Sequence, residues 1–161
     1  MHSFVIGIVL CLLIGYIQTE TTVDRCPQGR SPEDYKQTVS VGTCKKGPCR
    51  LRKGQAVNVE FKFTPGEEVK TLTNRVNALF GPLPFPFIGV DGTDACTNIF
   101  ESDATTKATC PLKAGNSYVY KNNFDILEIY PVIRLVVHWG LVANSGNDVM
   151  CFEVPAKITA S

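Results

Sequence analysis

The chain has 161 residues and a near-even charge balance, 16 Lys and Arg against 15 Asp and Glu, for a formal net charge of +1 at pH 7. This balance does not indicate a basic face for nucleic acid. The sequence also contains no Gly-x-Ser-x-Gly nucleophile elbow and no set of His and Cys with the spacing of metal ligands, so we expect neither an enzyme, a cofactor nor a metal site.

The N-terminus carries an apolar run from Phe4 to Ile17 that contains no charged residue. A membrane-spanning helix needs about 20 apolar residues, so this run is too short to cross a bilayer. The polar stretch Gln18–Thr22 follows it, and this order is typical of a secretory signal peptide. We therefore predict a signal peptide over 1–19 and one secreted domain over 20–161. The alternative is a buried N-terminal element.

Cysteine usage points to an oxidising compartment. Cys11 would leave with the signal peptide, and six cysteines remain: Cys26, Cys44, Cys49, Cys96, Cys110 and Cys151. An even number in a secreted chain predicts three disulfides, although six cysteines allow about 15 pairings and spacing does not choose among them. No Cys-x-x-Cys pair accompanies them, which argues against zinc.

Short alternating runs predict an all-β domain. In the clearest of the early runs, Val57, Val59, Phe61 and Phe63 alternate with polar residues. Strands are predicted at Gln37–Val41, Val57–Phe63, Lys70–Phe80, Ser117–Lys121, Tyr130–Val142 and Asp148–Ile158. About seven strands with Gly, Pro and Asn turns, and no long amphipathic helix, favour an immunoglobulin-like β-sandwich.

The strongest strand signal is Tyr130–Val142. Its apolar positions fall two apart and share one face, and they are Ile133, Leu135, Val137, Trp139 and Leu141. Pro131 cannot donate a ladder hydrogen bond and is expected to mark the strand's beginning. The apolar face is either ordinary core or the wall of a lipid pocket, and the strand alone does not decide between them.

The segment Gly81–Asp91 is rich in both proline and large apolar residues. Three prolines in five residues exclude a central strand, yet Leu83, Phe85, Phe87 and Ile88 are too apolar to be left in water without a reason. The sandwich interior, a partner protein or a bound apolar ligand could each cover them. A rigid Pro-rich segment could hold aromatic rings at the rim of a pocket.

An ordered set of short motifs spans nearly all of Cys26 to Ile158. They are the Cys-x4-Cys pair with Leu51-Arg52-Lys53-Gly54-Gln55, Pro84-Phe85-Pro86, Cys110-Pro111-Leu112-Lys113-Ala114-Gly115, Tyr130-Pro131, Leu135-Val136-Val137-His138-Trp139, and Cys151-Phe152-Glu153-Val154-Pro155. In this order they resemble the Niemann-Pick type C2 proteins of the ML (MD-2-related lipid-recognition) family, which also contains the group 2 mite allergens.

The resemblance implies a sandwich whose two sheets are splayed around an apolar cavity for a sterol, a fatty acid or a similar molecule. It implies the disulfides Cys26–Cys151, Cys44–Cys49 and Cys96–Cys110. The predicted ligand-binding residues are Leu83, Phe85, Ile126, Tyr130, Ile133, Leu135, Val137, Trp139 and Phe152. A Tyr hydroxyl at the mouth could meet the polar group of the ligand while its ring stays in the apolar wall.

Three features set this chain apart from the vertebrate members of the family. Phe152 stands where they have tryptophan, the Cys96–Cys110 loop is longer, and no Asn-x-Ser/Thr sequon occurs. Lacking N-glycans, the protein is predicted to be extracellular rather than lysosomal, and an arthropod member fits best.

The predicted function is therefore a monomeric secreted carrier of one hydrophobic molecule, with a membrane or receptor as the acceptor and no nucleic-acid partner. A semiochemical carrier and a microbial-lipid recognition protein use the same chemistry. The alternative from another class is a solid-core interaction module that presents the Pro-Phe segment as a contact patch.

Overall fold

The computed structural model describes residues 20–28 and 38–161. The predicted signal peptide and the start of the strand predicted at Gln37–Val41 lie outside the described residues. Within those two ranges, we find no helix with the length and apolar character of a membrane-spanning segment.

The described residues form nine strands and one short 3₁₀ helix, Cys96–Asn98. The strands are β1 (Val39–Val41), β2 (Cys49–Arg52), β3 (Ala56–Phe63), β4 (Leu72–Phe80), β5 (Leu83–Pro86), β6 (Ile99–Glu101), β7 (Tyr118–Asp125), β8 (Arg134–Ala143) and β9 (Asp148–Thr159). They build a four-stranded sheet in the order β1-β3-β7-β6 and a five-stranded sheet in the order β2-β9-β8-β4-β5. The predicted all-β sandwich with three disulfides is confirmed.

Alternation of apolar and polar residues explains which face of each long strand is buried. In β3, Val59, Phe61 and Phe63 are buried while the residues between them are at least partly exposed. In β8 the odd positions from Leu135 to Leu141 are buried, as the period-two pattern predicts. The two sheets meet in a core in which the Phe124 ring of β7 packs edge-to-face on Trp139 of β8, with centroids 5.4 Å apart.

Strand number and several boundaries differ from the sequence prediction. The sequence locates six strands and predicts about seven; the three that it does not locate, β2, β5 and β6, are only three or four residues long. β7 extends to Asp125 rather than Lys121. The strand predicted to begin at Pro131 begins at Arg134 instead, because Tyr130 is held in a turn by a bond from its amide to the Leu127 carbonyl (3.1 Å). The proline-rich β5 is an edge strand, where a missing amide donor is tolerated.

The three disulfides are those that the resemblance implies, namely Cys26–Cys151, Cys44–Cys49 and Cys96–Cys110. The first ties the N-terminal segment to β9 across 125 residues, so it closes most of the domain into one covalent loop. Closing so long a loop stabilises the fold by about 4 to 5 kcal/mol in the chain-entropy estimate.

Candidate functional site

A row of apolar side chains crosses the inner face of the five-stranded sheet from its exposed edge to its centre. The register places Phe85 of β5 opposite Ala78 of β4, Ala78 opposite Val137 of β8, and Val137 opposite Val154 of β9. Directly opposed residues project from the same face. We call these four residues the entry row. Its exposure falls from 51% at Phe85 to 6% at Val137 and 2% at Val154.

Large apolar side chains are exposed around the outer end of this row. They come from the β4–β5 hairpin, the segment after β5 and the β7–β8 connection: Phe80, Leu83, Phe85, Ile88, Ile129 and Val132, each more than half exposed. We call this set the apolar rim. A contiguous group of exposed apolar side chains is typical of a binding or docking surface, whereas single exposed apolar residues are common on any protein.

A hydrogen bond joins the two segments that carry the rim. The backbone amide of Ile88 donates to the Tyr130 hydroxyl at 3.0 Å. The Tyr130 ring packs edge-to-face on Phe87, with centroids 5.7 Å apart, and Phe87 packs the same way on Phe124 at 5.3 Å. The three rings and this bond close the space between the sheets behind the rim.

The inner end of the entry row reaches a cavity between the two sheets. Both sheets contribute to its apolar lining, which is Val41, Cys49, Leu51, Val59, Phe124, Val137, Trp139, Phe152, Val154 and Ala156. Its volume is about 10 Å³, near the least that one water molecule needs. Ligand pockets usually measure about 300–1,000 Å³. The cavity lies between the two sheets but is nearly closed, with the rings of Phe124, Trp139 and Phe152 in its lining.

The nine predicted ligand-binding residues fall into three positions. Val137, Trp139 and Phe152 line the cavity. Ile126 and Leu135 are buried in the surrounding core, and Tyr130 and Ile133 are half-buried against it. Leu83 and Phe85 lie outside, on the apolar rim. The nine therefore lie at the rim, in the core and in the cavity lining rather than around one open pocket.

Sequence reasoning missed several residues of this path. Ala78 and Val154 complete the entry row, and Phe124 supplies a ring from the opposite sheet. Phe124 lies in a polar stretch, Asn122-Asn123-Phe124-Asp125, so period-two counting gives it little weight. Pairing of β4 with both β5 and β8 is what identifies Ala78, and pairing cannot be deduced from spacing within one strand.

A buried polar cluster lies beside the cavity. The Tyr120 hydroxyl donates to Asn74 Oδ1 (2.6 Å) and accepts from Asn122 Nδ2 (2.7 Å), and Asn74 Nδ2 donates to Thr93 Oγ1 (3.0 Å). Burial raises the pKa of the Tyr120 hydroxyl well above its usual value, so the hydroxyl stays neutral. The Trp139 ring packs edge-to-face on the Tyr120 ring, with centroids 6.0 Å apart. The buried indole N–H of Trp139 makes no hydrogen bond within the described residues.

One group of potential metal ligands occurs on the outer face. His138 Nδ1 lies 3.2 Å from Glu153 Oε1 and 3.7 Å from Cys26 Sγ. Cys26 is bonded to Cys151, so it offers no thiolate to a metal ion. The His138–Glu153 pair instead bridges opposed residues of β8 and β9.

Comparison with known proteins identifies a family model and several relatives that match the chain. The ML domain family model matches residues 20–158. The chain is 32% identical over 124 residues to the "NPC intracellular cholesterol transporter 2" of Mus musculus, covering 76% of each chain. It is also 32% identical over 115 residues to the "NPC intracellular cholesterol transporter 2 homolog a" of Drosophila melanogaster, covering 70% of this chain and 71% of the relative.

Among solved structures, the fold is similar to that of a Niemann-Pick type C2 protein from the Japanese carpenter ant. The TM-score is 0.61 at 24% identity, over 75% of this chain and 89% of the other. At this identity the match supports the arrangement of the sheets and not the details of a site.

Proposed function

The chain belongs to the ML domain family, and we propose that it is a secreted carrier that binds one hydrophobic molecule, a sterol or a fatty-acid-like lipid, between its two sheets. The observation that carries the proposal is the entry row, in which apolar side chains run without a break from exposed Phe85 to Val137 and Val154 at the cavity. The mouse and fly relatives are named as cholesterol transporters, which supports a sterol as one ligand.

Binding requires the sheets to separate at the rim, and the energetics show why a ligand must fill the space that opens. An empty space of about 300 Å³ would cost about 7 kcal/mol, at roughly 24 cal/mol for each Å³. That cost is comparable with the whole stability of a domain, about 5–15 kcal/mol. A ligand that buries about 300 Å² of apolar surface contributes about 7 kcal/mol in the opposite direction. The filled open state is therefore close in free energy to the closed state, whereas the empty open state is populated only rarely.

The two segments that carry the rim meet where Ile88 and Phe87 contact Tyr130, and we call this contact the mouth. The sheets can separate there. Opening the mouth breaks the Ile88–Tyr130 hydrogen bond and parts the Phe87 and Tyr130 rings, while the paired strands of each sheet keep their ladders. The freed Tyr130 hydroxyl can then bond the polar group of the ligand, with its ring against the apolar part. The apolar rim around the mouth fits contact with a membrane or receptor during delivery.

Three disulfides fit the oxidising compartment that a secreted protein passes through. The same apolar lining would accept a semiochemical or the acyl chain of a microbial lipid. One observation favours a different class of function: the cavity of about 10 Å³ is what a solid-core interaction module would have. In that module the apolar rim would be the contact surface for a partner protein.

The test combines detection of the ligand with two matched variants. Native mass spectrometry of the protein secreted by cells should detect one lipid per chain. Phe85→Ala should weaken binding of a fluorescent sterol or fatty acid about fivefold, since about 40 Å² of lost contact is worth about 1 kcal/mol.

Phe100→Ala is the control, because Phe100 is a partly buried ring on β6, the edge strand of the other sheet, and should leave binding unchanged. A protein without co-purified lipid, together with equal binding by both variants, would favour the solid-core module.

A further inference from the structure

The basic residues of this chain are unevenly distributed. Six of the sixteen lie on β2, in the turn before it, or on the next strands of the sheet, β9 and β8: Lys45, Lys46, Arg50, Arg52, Arg134 and Lys157. We call this group the basic strip. The other ten basic residues are outnumbered by the fifteen acidic ones. A chain that is close to neutral overall therefore carries one concentrated positive surface.

Three members of the strip stand side by side on neighbouring strands. The register places Arg50 of β2 opposite Lys157 of β9, and Lys157 opposite Arg134 of β8. Adjacent strands are about 4.8 Å apart, so the row is about 10 Å long. Like charges in directly opposed positions destabilise a sheet. No residue of the strip forms an ion pair with a carboxylate in the described part of the chain, so this repulsion is uncompensated.

Four members of the strip also line an open cleft of about 660 Å³ between β2 and the edge of the other sheet. Lys45, Lys46, Arg50 and Arg52 supply its charge, and the lining contains no carboxylate. Thr43, Gln55 and Asn58 add hydroxyl and amide groups to the wall. Arginine fits tetrahedral oxyanions through paired N–H donors. The cleft and the row together have the chemistry of an anion site.

We propose that the basic strip binds a linear sulfated polysaccharide. A single sulfate or phosphate would use only two or three of these cations, whereas a polymer with regularly spaced sulfates can contact the row and then follow β2 into the cleft. None of the exposed large apolar side chains lines the cleft, which argues against insertion into a membrane. The lining also offers no aromatic ring on which nucleic-acid bases could stack. Val41, Cys49 and Leu51 line both this cleft and the cavity between the sheets, but none of the basic side chains lines the cavity. The proposal therefore does not depend on the lipid path.

The test measures affinity for a heparin-derived oligosaccharide of uniform length by calorimetry over about 50–200 mM NaCl. Arg50→Thr with Arg52→Thr should weaken binding at least about tenfold and reduce the salt dependence by about one to two ions, because two charge-assisted contacts are lost. The control is Lys62→Thr with Lys113→Thr, which removes the same charge from exposed positions outside the strip. It should change the affinity less than about twofold. Thermal unfolding of both double variants checks that each remains folded.

Chemical specificity is tested on the same proteins. Desulfated heparin of equal length should bind at least about tenfold more weakly than heparin, since its sulfates are gone. Equal losses in the two double variants, or no loss in either, would overturn the proposal. It would also be overturned if inorganic sulfate at the same charge concentration competed completely. The same holds if phosphatidylserine vesicles or a single-stranded oligonucleotide bound as tightly through Arg50 and Arg52.

Discussion

Replacing Tyr130 by phenylalanine is the sharpest perturbation of the proposed mouth. Tyr130→Phe removes only the hydroxyl that accepts the Ile88 amide at 3.0 Å and keeps the ring that packs on Phe87. The substitution removes one hydrogen bond from the closed mouth. It removes none from the open mouth of the ligand-free protein. We therefore expect the variant to open more often and to take up lipid faster.

The size of the effect follows from the exposure of the bond. A neutral hydrogen bond contributes about 0.5–1.5 kcal/mol net. Ile88 is 57% exposed, so water can replace the lost hydroxyl at its amide and the lower half of this range applies. A difference of about 0.5–1 kcal/mol changes the population of the open mouth about two- to fivefold. At lipid concentrations well below saturation the uptake rate is proportional to this population and should rise by the same factor.

Stopped-flow fluorescence can measure that rate without a label, because Trp139 is the only tryptophan of the chain and lines the cavity. Tyr118→Phe is the matched control, since the Tyr118 hydroxyl accepts the backbone amide of Lys113, also at 3.0 Å, away from the rim. It should lower stability by a similar amount and leave the uptake rate unchanged. Equal rates in wild type and Tyr130→Phe would refute the assignment of the mouth.

Three further predictions concern the interior and one surface loop. Ala156→Leu adds bulk to the cavity wall and should cost about 1–3 kcal/mol of stability, while a titration with fluorescent lipid should show weaker binding; unchanged affinity would place the ligand elsewhere. Tyr120→Phe leaves the buried Asn74 Oδ1 without its donor and should lower the free energy of unfolding by about 1–3 kcal/mol in urea, an effect absent if water replaces the hydroxyl. Hydrogen bonds from the Thr106 side chain and amide lower the pKa of Asp103 from 3.8 to about 2, so this carboxylate stabilises its loop fully above pH 3.8 and the stabilisation is lost as the pH falls through about 2. The amide NMR shift of Thr106 should therefore titrate with a midpoint near pH 2, and a midpoint near pH 4 would contradict the hydrogen-bonded loop.

Local patterns in the sequence predict most of the fold. Alternation identifies β3 and β8 and their buried faces, because each strand packs on one side and is long enough to bury several residues there. The short strands β2, β5 and β6 escape that reasoning, since three or four residues give no measurable period. β5 is hidden further by its prolines, which fit a strand only because it pairs on one side.

The candidate site is less accessible from sequence than the fold. The resemblance gives Phe85 and Tyr130 as pocket residues, but it does not give the closed state in which Phe85 is exposed and Phe87 fills the mouth. How far two sheets approach each other depends on the sum of side-chain volumes across the core, and no single motif contains that sum. The basic strip depends likewise on register, because Arg50, Lys157 and Arg134 are far apart in sequence.

Quenching of Trp139 by a fatty acid that carries bromine on its chain tests the central claim most directly, because a heavy atom quenches indole fluorescence only near contact. If the lipid enters between the sheets, quenching should saturate at one lipid per chain and follow the binding curve measured by an independent separation. If the lipid binds by that separation while the fluorescence of Trp139 is unchanged, the ligand does not enter the interior and the carrier mechanism proposed for this fold is wrong.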